Sequence, residues 1–376
     1  MISQRTRAAL LALPLLLGGC GMGERGPVYI GIAGPVNLAN GRSMRLAAEM
    51  ARDEINRAGG INGRTIELII MDDSADAERA IEVAAILRDT NVVAVVGHVN
   101  SPATLAAAEI YNDQTRGVVQ ISPASSSPLV TEAGPWTFRV CPSDLQHGPA
   151  LAEWAYTRLR GRRAAILYAN DDYGRGVLQT FASAFERLGG TIIGRDPYLP
   201  GLLQENPALT TPYLERALRN GLDVLVIAGQ GGPGQTILQQ ARQLGYTGPV
   251  LGGDGLTQLK DVGSVAEGVF VSSAFLPDRA TEPAQRFVRE YTERYNGELP
   301  DHRGAMTYDA IQLLVRAVRE VGTDRRAVRD YLAGVGNGVP AFEGVSGTIA
   351  FDENGDTPSK EVAIGVIRAG KLLTAS

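Results

Sequence analysis

The chain has 376 residues, with 36 Lys and Arg against 41 Asp and Glu, 44% hydrophobic residues and only 6% aromatic ones. At roughly 150 residues per domain, this length supports about two to three domains, each able to bury its own core without disulfide staples. The acidic balance argues against nucleic acid as a partner, and the one long apolar run, Ala8 to Gly19, is shorter than the roughly 20 residues a membrane-spanning helix requires.

That run follows Arg5 and Arg7 and ends in Gly18-Gly19-Cys20, which is the charge, length and small-residue ending of an export signal. Leu17-Gly18-Gly19-Cys20 resembles a bacterial lipoprotein box, in which the Cys20 thiol is acylated and residues 1–19 are removed. The alternative is a cleaved secretory signal with an incidental cysteine. Removing residues 1–19 leaves 34 basic against 41 acidic residues. Cys141 is then the remaining free thiol, read as a small buried hydrophobe, so no intramolecular disulfide is expected even in an oxidising compartment.

After a Gly-rich tether (20–27), apolar β-type runs alternate with amphipathic helical stretches. Strands are predicted at Val28–Ala33, Thr65–Met71, Val92–Gly97 and Val118–Ser122. Met44, Ala47, Ala48, Ala51 and Ile55 carry helical spacing. Such alternation predicts a parallel sheet with helices on both faces. A second series follows Cys141-Pro142-Ser143, with strands Ala164–Tyr168, Thr191–Gly194, Val224–Ala228 and Val250–Gly252 and a helix through Leu178, Phe181, Ala182, Phe185 and Leu188. Leu199 to Pro212, with three prolines and no periodicity, reads as a surface excursion. From Val269 the order changes to one strand through Phe275, three helices (283–295, 305–321 and 325–333) and strands at 348–351 and 362–367.

Enzyme signatures are scarce. There is no G-x-S-x-G elbow, and Lys260, Lys360 and Lys371 follow no serine at the S-x-x-K spacing. His98, His147 and His302 are far apart in sequence and lack ligand spacing, so each reads as structural or surface, with no metal or cofactor expected. Gly229-Gln230-Gly231-Gly232-Pro233-Gly234 fits a dinucleotide fingerprint, and Asp254 follows at the ribose-acid distance. The plainer alternative is a glycine-rich loop that lets a small ligand approach the backbone. Polar loops after two neighbouring strands say more. His98-Val99-Asn100-Ser101-Pro102 and Pro123-Ala124-Ser125-Ser126-Ser127-Pro128 bring hydroxyls and free N–H groups to one sheet edge, which suits a carboxylate. Capping of helices and turns is the alternative for any one of these serines.

The chain resembles the bacterial extracellular solute-binding proteins of the leucine/isoleucine/valine-binding family, of type I periplasmic binding fold. The resemblance rests on Gly34-Pro35, the run Asp53-Glu54-Ile55-Asn56-Arg57-Ala58-Gly59-Gly60-Ile61-Asn62-Gly63, Asp72-Asp73, Val96-Gly97-His98, Ile121-Ser122-Pro123, Phe138-Arg139, Asp172-Tyr173-Gly174 and Tyr308-Asp309-Ala310. It implies an α/β fold of two doubly wound parallel-sheet lobes joined by three crossovers and closing over a ligand. The strands put those crossovers near Arg139–Ser143, Ser272–Pro277 and Val345–Phe351. Lobe 1 would be 28–140 with 275–345, and lobe 2 would be 141–274 with 346–376.

The resemblance assigns the ligand carboxylate to Ser101, Ala124 and Ser126, with Ser125 in the same loop. It assigns the ammonium to Asp254, and further contacts to Tyr173 and Gln230. Tyr173 could equally be a turn aromatic packed on its own helix. Where the family commonly has an aromatic residue before the first helix, this chain offers Asn40. Asp254 is also one methylene shorter than the glutamate of some relatives. The implied function is a monomeric, non-catalytic receptor, lipid-anchored in the cell envelope and facing the periplasm or cell exterior. It would capture a branched-chain or related amino acid and deliver it to an ABC permease. The alternatives are an outer-membrane interaction lipoprotein of the same fold that regulates cell-wall synthesis and, behind it, a dinucleotide-binding enzyme.

Overall fold

The computed structural model describes residues 26–376; Cys20, the expected signal and the tether up to residue 25 lie outside them. Five strands, β1 (Val28–Gly34), β2 (Ile66–Asp72), β3 (Val92–Gly97), β4 (Val119–Ser122) and β5 (Thr137–Arg139), form a wholly parallel first sheet in the order β2-β1-β3-β4-β5. Every residue of β3 is buried, as a valine-rich strand covered by helices on both faces requires. Helices α1 (Ala39–Arg57), α2 (Ala77–Arg88) and α3 (Ser101–Tyr111) provide the connections, and α1 buries Met44, Ala47, Ala48, Ala51 and Ile55, the periodic face.

The chain then enters a second unit through α4 (Asp144–Glu153). Here β6 (Arg163–Ala169), α5 (Asp172–Arg187), β7 (Thr191–Tyr198), α6 (Pro200–Glu205), α7 (Thr211–Arg219), β8 (Val224–Ala228), α8 (Gly231–Gln243), β9 (Val250–Gly252) and β10 (Phe270–Ser273) follow in order. The parallel part of this sheet, β7-β6-β8-β9-β10, repeats the strand order of the first. In such an order the gap beside the first strand of each unit is where ligands bind, beyond the carboxyl ends of the strands.

Leu199 to Pro212, expected to be an excursion, is mostly helical. Pro200 opens α6, Pro207 opens a short 3₁₀ turn and Pro212 lies in the first turn of α7. Each proline sits where a helix has no intrahelical use for its N–H, so the residues that hid periodicity act as starts.

The chain returns to the first unit with α9 (Glu282–Arg294), α10 (His302–Val321) and α11 (Arg325–Ala333), then forms a ribbon of β11 (Phe342–Gly344) and β12 (Gly347–Ile349). Met306, Ala310, Leu314 and Val318 of α10 share one core with Ile30, Ile32 and Val96. So do Ile349 and Phe351. The third crossing therefore comes after Phe351, later than the expected Val345–Phe351. The buried Asp309 carboxylate explains this, accepting from the N–H groups of Val345 (2.7 Å) and Ser346 (2.8 Å) and pinning the ribbon turn to α10. Last come β13 (Ala363–Arg368) and β14 (Lys371–Thr374), antiparallel additions to the second sheet beyond β10.

Candidate functional site

The first polar wall grows from the ends of β3 and β4. The buried His98 ring, bonded through Nδ1 to the buried Asp73 carboxylate at 2.6 Å, anchors the loop after β3. The His98 carbonyl accepts from Ser122 Oγ at 2.7 Å, tying the two loops together. Ser125 does the same work, with its hydroxyl 2.6 Å from Thr104 Oγ1 and 3.1 Å from the Val99 carbonyl oxygen. It is thus occupied in holding the loops rather than free for a ligand. Ser101, at the start of α3, accepts from the Ser127 N–H at 3.2 Å and keeps its own proton to donate. The Ser126 hydroxyl is buried with no hydrogen-bond partner, and Ala124 lies beside it in the chain with little exposure.

Arg139 supports this wall from behind. Its fully buried guanidinium donates to the Ser127 carbonyl (2.8 Å), Thr131 Oγ1 (2.8 Å) and the Asp356 carboxylate (2.6 Å). It fastens the serine loop to the third crossing segment.

The opposite wall comes from the second sheet. Asp254 follows β9, is 4% exposed, and accepts from the Tyr173 hydroxyl at 3.1 Å. That hydroxyl also accepts from the Gly255 N–H at 2.9 Å, so Tyr173 bonds to the loop after β9 rather than only packing on its helix. The fit is close: a Cβ on Gly253 would lie 2.4 Å from the Tyr173 oxygen, and one on Gly255 would lie 2.6 Å from the Gly229 carbonyl. Burial first, then the neighbouring acids, push the Tyr173 phenol well above its ordinary range, keeping it a donor.

Three residues that sequence spacing did not assign stand around Asp254. His302 Nε2 is 3.5 Å and His147 Nε2 4.0 Å from Asp254 Oδ2, and both rings are buried. Both fall on the structural side of the expected structural or surface role, and they stand beside Asp254, which their sequence spacing did not indicate. Burial lowers the pKa of His147 and takes that of His302 down to about 4, so both rings are neutral at neutral pH. The Thr257 hydroxyl gives its single proton to the Asp254 carbonyl at 2.6 Å. His302 Nδ1 lies 3.4 Å from Thr257 Oγ1, and its Nε2 is buried beside the Asp254 carboxylate without a hydrogen-bond partner.

The third residue is Asp144, one turn before His147 on α4 and hence on the same helix face. Its N–H donates to the Ser126 carbonyl at 2.7 Å, while both carboxyl oxygens are buried without a partner. Burial and then the charge of Asp254 push its pKa up to about 8, although the Ser126 hydroxyl lies near enough to favour the charged form without making a well-formed hydrogen bond. The sign matters: because the fold prefers Asp144 protonated, this group makes the unliganded protein lose stability as pH rises from about 4 to about 8. His302 acts in the other direction, with stability lost as pH falls from 6.5 to about 4. An ammonium arriving here lowers the Asp144 pKa again. Binding of an amine at pH 7 is therefore expected to release up to one proton, measurable by titration calorimetry in two buffers of different ionisation enthalpy. A binding heat independent of buffer would contradict it.

His302 begins α10, which packs on the first sheet, whereas Asp254 belongs to the second, so the two lobes are closed on each other in this structure. The other expected residues stand apart from this cluster. Gln230 immediately precedes α8, half-buried, with its side-chain oxygen unpartnered. Asn40 lies half-buried in the first turn of α1, and its side chain makes no hydrogen bond among the described residues. The dinucleotide fingerprint has a packing explanation. Cβ atoms on Gly229, Gly231 and Gly234 would lie 1.9 Å from Tyr198, 2.9 Å from Gln258 and 2.7 Å from Leu256, so protein side chains already fill the space these glycines leave. Among the described residues, no group of three or more His, Cys, Asp or Glu could hold a metal ion, and no helix is long and apolar enough to cross a membrane.

Two closed α/β lobes with an anion-suited serine wall facing an acidic one define a solute-binding protein. The model of the periplasmic binding protein family matches residues 28–371, and the chain belongs to that family. It is 27% identical to Leu/Ile/Val-binding protein homolog 1 of Brucella abortus, with the match covering 92% of this chain and 91% of that one. A leucine-binding protein from Thermotoga maritima superposes with a TM-score of 0.84 at 30% identity, covering 93% of this chain and 98% of the other. An ABC transporter substrate-binding protein from Desulfitobacterium hafniense, solved with leucine, does so with a TM-score of 0.78 at 30% identity, covering 93% and 100%. The fold is that of the type I periplasmic binding proteins.

Proposed function

We propose that this protein is the monomeric, non-catalytic binding component of an ABC transporter, that it captures an amino acid in the branched-chain range, and that it hands it to a membrane permease. One observation carries the reading. Ser101 and Ser126 on one lobe face Asp254, Tyr173 and Asp144 on the other, an arrangement complementary to a carboxylate and an ammonium on one small molecule. Ala124 and Gln230 line the approach in this reading, and Asn40 stands where a side-chain contact is expected. The relatives' names support the ligand class, and the sequence motif ending at Cys20 supports a lipid anchor in the cell envelope.

Mass spectrometry of the protein extracted from membranes tests both parts. Denaturing spectra are expected to show a chain beginning at an acylated Cys20. Native spectra of the same preparation are expected to show a retained ligand of amino-acid mass. An unmodified Cys20 in the mature chain would remove the anchor. A ligand lacking nitrogen would remove the amine assignment.

A further inference from the structure

We propose that His302 limits how long a side chain the ligand can carry, by closing the amine site off from an apolar cavity behind it. This rests on the reading that a ligand ammonium sits at Asp254. The cavity, of about 260 Å³, lies between the lobes on the hinge side and is lined by Phe275 of the crossover, Leu299 and Pro300 ahead of α10, and Leu372 of β14. The charged Lys260, Asp261, Glu298, Asp301 and Lys371 also line it, Lys260 being paired with Asp261 at 3.0 Å. Thr257 and His302 also line the cavity, and both touch Asp254, which does not. The partition between amine site and cavity is therefore one side chain thick.

Of the two, Thr257 is held firmly, by its 2.6 Å bond to the Asp254 carbonyl. The His302 imidazole has only the 3.4 Å contact to Thr257 and the 3.5 Å approach to Asp254, both at the weak end of hydrogen-bond range. Its removal would join the cavity to the site. The occupant that suits the joined space is an unbranched apolar side chain, because the cavity walls are mainly hydrocarbon and it opens directly behind the amine partner. Each buried methylene corresponds to roughly a fourfold gain in affinity.

The test titrates L-leucine and L-2-aminooctanoate into the full mature protein as wild type, His302→Ala and His302→Gln. His302→Ala is expected to raise the affinity for 2-aminooctanoate relative to leucine at least tenfold over the wild-type ratio, whereas His302→Gln, which refills the wall, leaves that ratio within about threefold of wild type whatever either variant does to amine binding in common. An unchanged or lowered ratio in His302→Ala, or no detectable binding of 2-aminooctanoate to it, overturns the proposal. Should that variant fail to fold, His302→Ser removes the same wall and carries the same expectation. The two readings separate cleanly: if no form binds leucine but His302→Ala binds 2-aminooctanoate, the branched-chain reading falls and the gate stands.

Discussion

Replacing Asp254 with alanine is expected to weaken ligand binding by about 30-fold to several thousandfold, the equivalent of roughly 2–5 kcal/mol for truncating a buried, hydrogen-bonded charge partner. The size follows from the setting. Asp254 is nearly inaccessible and receives the Tyr173 hydroxyl, and the neutral His302 and His147 rings beside it carry no negative charge that could replace the lost carboxylate. Asp144 is the other acid near the ammonium, and it must first lose a proton held up to about pH 8. Because the Asp254 charge is one of the two causes that raise it, Asp144 in the variant gives up its proton below pH 8, and the loss should shrink as pH rises from 7 to 9. Calorimetric titration of wild type and Asp254→Ala at pH 7 and pH 9 measures both effects. Equal affinities at pH 7 would disprove the assignment of Asp254.

The second large effect is structural. Arg139→Met is expected to destabilise the fold by about 3–5 kcal/mol, because it leaves a buried charge without its partner. The Asp356 carboxylate, Thr131 Oγ1 and the Ser127 carbonyl all lose a donor, and Asp356 is shielded enough that water compensates poorly. Because the same guanidinium holds the serine loop, affinity should fall too, even where the variant remains folded. Urea unfolding followed by circular dichroism gives the stability change. A shift below 1 kcal/mol would show that Arg139 is not the clamp described above.

Much of this fold can be read from the residue pattern, because parallel strands buried on both faces leave unmistakable apolar runs such as Val92–Gly97, and α1 shows its core face at helical spacing. The serine loops were legible for a related reason: polar residues directly after such strands must lie at the carboxyl edge of the sheet. What stayed hidden depends on contacts between distant segments. His302 meets Asp254 only because the two lobes come together, and His147 only because α4 packs on the second sheet; no local spacing encodes either contact. Asp144 carries no sequence signal that sets it apart, and its burial comes from elements distant in the chain. Ser125 looked equivalent to its neighbours, and only the Thr104 and Val99 contacts reveal its bridging role. Ile349 and Phe351 carry the alternation of a strand leaving for the other lobe, while the Asp309 carboxylate keeps them in the first. The short edge strand β14 has too few residues for a periodic signal.

The claim at the centre of this account is that one small molecule is held by its carboxylate on one lobe and its ammonium on the other. Paired titrations test it most directly, each amino acid being compared with the 2-oxo acid that keeps its carboxylate and side chain but lacks the amine. At least one amino acid is expected to bind with roughly micromolar affinity or better, and its 2-oxo counterpart about a hundredfold or more weakly, a difference near 3 kcal/mol. Equal binding of the two members of a pair, or no binding by any amino acid, would contradict the account.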